Sequence, residues 1–266
     1  GIHPDVGRID RWLDQIGASK RPVFEIPEAE LDELRLNGER RSGSVLHDLN
    51  LFFRIELVLP DSSASVCDSL NAYDIVEIAY PLGEVGDPAL ATVLVVDTPN
   101  FESMQGYRRM APIGVDADYG NTFSAGNGVG ELIADVETGW TDDHEDIRHK
   151  AENNFVGLVG APYPWDHGTA VMGELVGENQ GKGVKGMVYD ADVRLSSHLG
   201  SSANIGTAIM HAINAVQPGD FVVLEVQCFG GAPDPYPCEF VDSIFALVQA
   251  ATANGIHVVA AGGNGN

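Results

Sequence analysis

The stretch from Leu132 to Ala261 constrains the fold most, because short runs dense in Val, Ile and Leu alternate there with longer runs of helical character. Leu132–Val136, Val193–Ser197, Phe221–Val226 and Ile256–Ala261 read as strands, being short, apolar and bounded by turn-forming residues. His167–Gly177, Ile205–Val216 and Phe240–Asn254 read as the helices between them. Strands that alternate with helices predict an α/β fold: a parallel sheet with right-handed crossovers, flanked by helices, with ligands at the carboxyl ends of the strands.

Residues 1–99 read differently, as a small α+β unit with a linker, leaving 100–266 for the larger domain. Glu28–Leu36 has helical spacing, Leu49–Leu59 is a β-favouring run stopped by Pro60-Asp61, Ser62–Ala72 places Val66 and Leu70 at i, i+4, and Ile75–Ala79 precedes Pro81. The expected order is strand, helix, strand, with Leu49–Leu59 and Ile75–Ala79 forming its core. From Pro81 to Phe123 the pattern loosens into Gly, Pro and Asp around one apolar run, Ala91–Val96, and this is the expected linker or processing zone.

Charge narrows the function classes. With 39 acidic against 15 basic residues the formal charge is −24. Nucleic acid and anionic membrane are unfavourable partners for such a surface, since both require a cationic footprint. No apolar run is long enough to span a bilayer, and Gly1-Ile2-His3-Pro4 lacks the charged-then-apolar pattern of a signal peptide, so any export signal is absent from these residues. Of the cysteines Cys67, Cys228 and Cys238, the last two bracket a turn-rich loop. They form either a disulfide, which argues for an oxidising compartment, or two buried thiols.

The chemistry concentrates in His167-Gly168-Thr169-Ala170-Val171-Met172-Gly173, a His that opens a small-residue helix. A lone His is ordinarily a structural side chain; the flanking blocks change that reading. Leu132–Trp140 (LIADVETGW) with Asp142–Ile147 (DDHEDI) precedes it, Gly183–Val188 (GVKGMV) follows without a gap, and Gly255–Asn266 (GIHVVAAGGNGN) closes the series. In this order and spacing, roughly Ala111–Asn266 resembles the subtilisin-like serine peptidases, the subtilase family (peptidase family S8). The Leu49–Pro81 region resembles, more loosely, the prodomain of such zymogens.

The resemblance implies a fold, an activity and site residues. A strand-end acid orients the His, the His takes a proton from Ser, and an Asn side chain with a backbone N–H stabilises the oxyanion. Glu137 stands where the family has Asp, one C–C bond longer; Asp135, two residues earlier and on the same side of the strand, is the alternative. His167 is the implied base and Asn264 the implied oxyanion donor. Gln227, Cys228, Phe229 and Gly230 correspond to the family's substrate edge, and Gly200 and Ser201 to a second edge that pairs with an extended peptide. Glu225 takes a position normally held by Asn, where a carboxylate favours basic substrate side chains or is simply a buried structural acid.

Two metal ions bear on the His144–His149 run. His144-Glu145-Asp146-Ile147-Arg148-His149 is a poor zinc motif, because i, i+5 does not bring both rings to one helix face. Asp146 matches a calcium-binding Asp of the family and the Glu178–Lys182 loop could add oxygens, although Gln180 and Lys182 weaken it. No other cofactor is expected. No Gly-Thr-Ser-x-Ala run occurs in the 266 residues. The expectation is therefore a secreted or extracytoplasmic endopeptidase acting on polypeptides, whose Ser lies in the C-terminal remainder of the catalytic domain or in a partner chain; the alternative is a catalytically inactive subtilase-like peptide-binding scaffold.

Overall fold

The structure, a computed structural model, describes residues 4–58, 63–82, 85–86, 98–151, 153–159, 167–199, 201, 204–229 and 235–264. The chain opens with α1 (Pro4–Gln15), β1 (Ser19–Pro22), α2 (Glu28–Ser42), β2 (Phe53–Glu56), α3 (Ser63–Asn71) and β3 (Val85–Gly86). There follow α4 (Ala117–Gly120), β4 (Leu132–Glu137), α5 (Arg148–Ala151), α6 (His167–Val176) and β5 (Asp192–Ser197). The last part is α7 (Ile205–Asn214), β6 (Phe221–Leu224), β7 (Gln227–Phe229), β8 (Pro235–Pro237), α8 (Asp242–Ala253) and β9 (His257–Ala260).

The central sheet is parallel, in the order β5-β4-β6-β9. The inner strands β4 and β6 are largely apolar because both of their faces are covered. On one face Ile133, Val193 and Leu195 pack with Trp140, Met172 and Val176, the last two from α6. On the other face Ala134, Val136, Val222 and Leu224 pack with Ile209 and Ile213 of α7 and Leu247 and Ala251 of α8. Each fully buried Leu or Ile contributes about 1.5–3 kcal/mol. Since residues alternate along β4, Asp135 and Glu137 share the α6 face with Ile133. The connection after β4 leads to β5 and that after β6 to β9, in opposite directions along the sheet. The carboxyl ends of β4 and β6 thus border the topological switch point, where open α/β sheets bind ligands.

The N-terminal residues share this core. Leu31 and Leu34 of α2 join Phe24, Leu46 and Leu49 in the α7–α8 cluster. Gly38 permits the close approach of α2 to α8: a Cβ there would fall 2.7 Å from Leu46 Cδ1 and 2.9 Å from Asn254 Nδ2. Asn254 Nδ2 donates to Leu34 O at 2.9 Å, tying the end of α8 to α2. A separate cluster of Ile9, Leu13, Ala18, Val66 and Leu70 lies under α1 and α3. Residues 98–121 are strapped to the loop after α6, through Phe101 N–H to Gly183 O (2.8 Å) and the buried Arg108 guanidinium, which bonds Lys185 O and Asp118.

Several sequence expectations change. Ile75–Ala79 is not a strand: Val76 N–H bonds Tyr73 O at 3.0 Å in a turn, and the Asn71 side chain bonds both Ala79 N–H (2.6 Å) and Ala79 O (2.8 Å). The run from Leu49 begins as a 3-10 turn, which Asp48 caps by accepting Asn50 N–H, and only Phe53–Glu56 is a strand; it pairs with β1. Cys228 and Cys238 form a disulfide with Cα atoms 5.0 Å apart, and Cys67 is free. Among the described residues no helix is long and apolar enough to cross a membrane.

Candidate active site

Glu137 ends β4 and is fully buried; His167 begins α6, its side chain 11% exposed. The Glu137 carboxylate accepts from His167 Nδ1 and, through Oε2, from Thr138 N–H at 3.2 Å. With the carboxylate ionised and the ring neutral, this contact requires the proton on Nδ1 and leaves the lone pair on Nε2.

Asp135 takes a different partner. Its Oδ2 accepts from Trp140 Nε1 at 2.9 Å, in the interior. Burial, reinforced by the Glu137 charge and by Glu225, holds the Asp135 carboxyl well above the usual carboxylate range. Glu225 is half-buried past the end of β6, with its N–H on Val136 O at 3.2 Å. Trp140, 1% exposed, lies against Gly168: a Cβ there would meet Gly139 O at 2.6 Å and Trp140 Nε1 at 2.7 Å. Sequence reasoning gave Trp140 no role. The signal available was a large aromatic just after Thr138-Gly139, in step with the small residues that follow His167.

Asn264 is exposed beyond the end of β9, and its N–H donates to Gln227 Oε1 at 3.0 Å. Gly263, at φ 83, makes the turn that presents it. Gln227, Cys228 and Phe229 form β7, the middle strand of a small antiparallel sheet in which Val85–Gly86 pairs with one side and Pro235–Pro237 with the other. The disulfide fixes Cys228 to the residue following β8. Ser201 N–H bonds His198 O at 3.0 Å in a turn where Leu199 has φ 54, so the described part of that edge is not extended. Gly200 and Gly230 lie outside the described residues.

The donors around Asp146 do not fit calcium. Asp146 Oδ2 accepts Val184 N–H at 3.2 Å; its buried Oδ1 lacks a hydrogen-bond partner but is pressed against Gly183, where any Cβ would overlap it. The loop that should add oxygens brings the Lys182 ammonium, bonded to Glu145, and the Gln180 amide N–H, donated to Glu145 O at 2.7 Å. Calcium takes six to eight oxygens, and cations do not complete such a shell. Nor does His144 join His149: His144 Nδ1 accepts Asp146 N–H, and His149 lies 3.9 Å from Glu178. Among the described residues no three His, Cys, Asp or Glu side chains converge on a metal position.

Comparison with known proteins gives the family. A family model described as the subtilase family matches residues 128–266. Among solved structures, fervidolysin from Fervidobacterium pennivorans, described as a keratinolytic enzyme related to subtilisin, is similar to 87% of this chain with a TM-score of 0.47 and 12% identity. The chain covers 38% of that protein's length. A search of curated proteins finds no match. The family model takes in more than half of the chain, β4 with Glu137, α6 with His167 and β9 with Asn264 among it, and the chain belongs to the subtilase family.

Proposed function

We propose that the chain carries the acid–base half of a serine endopeptidase, with His167 as general base, Glu137 as its orienting acid and Asn264 as side-chain oxyanion donor, the nucleophilic Ser coming from polypeptide outside residues 1–266. The observation that carries this reading is the Glu137 carboxylate on His167 Nδ1 at the carboxyl edge of the sheet. With Nδ1–H held, Nε2 takes the Ser proton as the hydroxyl attacks a peptide carbonyl, then returns it to the leaving amine. Asn264 follows β9, on the other side of β6 from β4, and its amide donates to the oxygen that becomes negative.

The substrate is an extended polypeptide that pairs with β7. In this chain Val85–Gly86 already runs antiparallel to Gln227 and Cys228, which supports residues 1–99 acting as an inhibitory leader. Cleavage in the Pro81–Phe123 zone then vacates that edge. The disulfide suits an oxidising, extracytoplasmic setting.

The test compares residues 1–266 with the same chain extended by the polypeptide encoded after Asn266, using a serine-directed phosphonate and intact mass. The extended protein should become labelled once and hydrolyse peptides, while residues 1–266 alone should do neither. Labelling of residues 1–266 alone overturns the proposal, and an extended protein that binds peptides without labelling is the inactive scaffold instead.

A further inference from the structure

Asp135 is a fully buried acid that the proposed mechanism does not use. Its neighbours across the sheet are Leu195 on β5 and Val223 on β6. The ionisable groups that act on it are Glu137 of its own strand, Glu225 beyond β6 and His167 of α6. One carboxyl oxygen holds the Trp140 indole N–H and the other, Oδ1, has no hydrogen-bond partner. A charged oxygen so placed would be a bare buried anion two residues from a second carboxylate, an arrangement proteins avoid by keeping the proton.

Trp140 connects this acid to the base. Its ring packs in the α6-side core, edge-to-face with Phe155 at 5.8 Å, and lies against the start of α6 where Gly168 has no side chain. Thr141 N–H then donates to Thr169 Oγ1 at 2.8 Å, a second tie between the same two segments. The first turn of α6 therefore rests on an indole whose orientation is set by a single hydrogen bond.

We propose that Asp135 is a positioning residue that works as a neutral acid: it fixes the Trp140 indole, and the indole sets the seat of α6 from which His167 meets Glu137. This rests on His167 being the base, but its effect is visible in the imidazole without any hydrolysis. A neutral acid beside the pair also leaves Glu137 as the anion facing the ring, because no second charge competes for the Nδ1 proton.

The experiment is NMR on residues 1–266, following the Trp140 indole N–H and the Nδ1–H of His167 in Asp135→Asn, Asp135→Val and Trp140→Phe. Asp135→Asn keeps a neutral acceptor, so the indole N–H should stay protected and the Nδ1–H resonance should stay in place. Asp135→Val and Trp140→Phe should each weaken or shift the Nδ1–H resonance; Trp140→Phe keeps an aromatic ring in the core and so covers a failure of the valine variant to fold. Loss of the indole protection or of the Nδ1–H resonance in Asp135→Asn overturns the neutral acid. An unchanged His167 in both of the other variants overturns the coupling. In the extended protein the same two variants should lower kcat and spare KM. An extended protein with no peptidase activity at all, yet with the expected imidazole shifts, removes the proposed function and leaves the buttress standing.

Discussion

Replacing Glu137 by Gln probes the site most sharply, because the hydrogen bonds it accepts from His167 and Thr138 cannot both survive. Oε1 faces His167 Nδ1 and Oε2 accepts Thr138 N–H at 3.2 Å. A Gln that turns its oxygen to His167 aims its NH2 at Thr138 N–H, setting donor against donor inside a buried site. Turned the other way, it satisfies Thr138 and donates to Nδ1, which moves the ring proton to Nε2 and removes the lone pair needed for catalysis. The second choice leaves neither of these two donors unpaired and should prevail. The expected loss in kcat of the extended protein is about 10⁴-fold, by analogy with an Asp-to-Asn change that imposes the same wrong tautomer, or about 5.5 kcal/mol of barrier. Stopped assays on a peptide substrate give the rate, and ¹⁵N chemical shifts of the ring give the tautomer in residues 1–266. A loss below about tenfold with the Nδ1–H tautomer retained would refute the argument, because the orienting role of Glu137 is measured relative to that tautomer.

Other outcomes follow from the same geometry. Asp135→Asn should gain stability relative to the unchanged chain as pH rises from about 4: the unfolded carboxyl ionises there while the buried one stays protonated, so native stability falls by up to about 1.4 kcal/mol per pH unit until the native group also ionises. Urea unfolding of both proteins at successive pH values measures the gap, and a gap that does not change with pH contradicts a raised Asp135. Removing the disulfide with Cys228→Ala and Cys238→Ala should cost about 3 kcal/mol for so short a loop, a Tm drop of roughly 6–12 °C by calorimetry. A drop under about 2 °C would mean the hairpin is already held by β7–β8 pairing. Asp146→Asn should leave any effect of calcium on Tm, measured against a chelator, unchanged within about 1 °C, since the donors described around Asp146 do not make an oxygen shell; loss of a calcium-dependent rise in this variant would restore Asp146 as a ligand.

How much of this was legible in the sequence depends on which interactions are local. The inner strands β4 and β6 were readable because both of their faces are covered, which makes each largely apolar, and the helices between strands because they must return the chain to the same end of the sheet. Elements whose pattern is weak or satisfied from outside were not. Helix α1 went unread although Ile9 and Leu13 stand at i, i+4 behind Pro4, a favourable first helical residue. Ile75–Ala79 is an apolar, β-favouring run, but Asn71 from the end of α3 takes both backbone groups of Ala79, and no propensity scale contains that contact.

The site divides along the same line. His167 and the end of β4 were marked by their flanking residues, whereas the separate tasks of Asp135 and Glu137 were not, because strand alternation delivers both carboxyls to one face and says nothing more. What distinguishes them is the donor each receives. Trp140, five residues from Asp135, bends back from the Thr138-Gly139 turn to claim one acid; His167, thirty residues from Glu137, arrives with α6 to claim the other. The two arrivals depend on each other, since α6 sits as close as it does only because Gly168 leaves room for the indole. Of two neighbouring buried acids, the one that faces an indole meets a donor that does not give up its proton and acts only by position, while the one that faces an imidazole can take part in proton transfer.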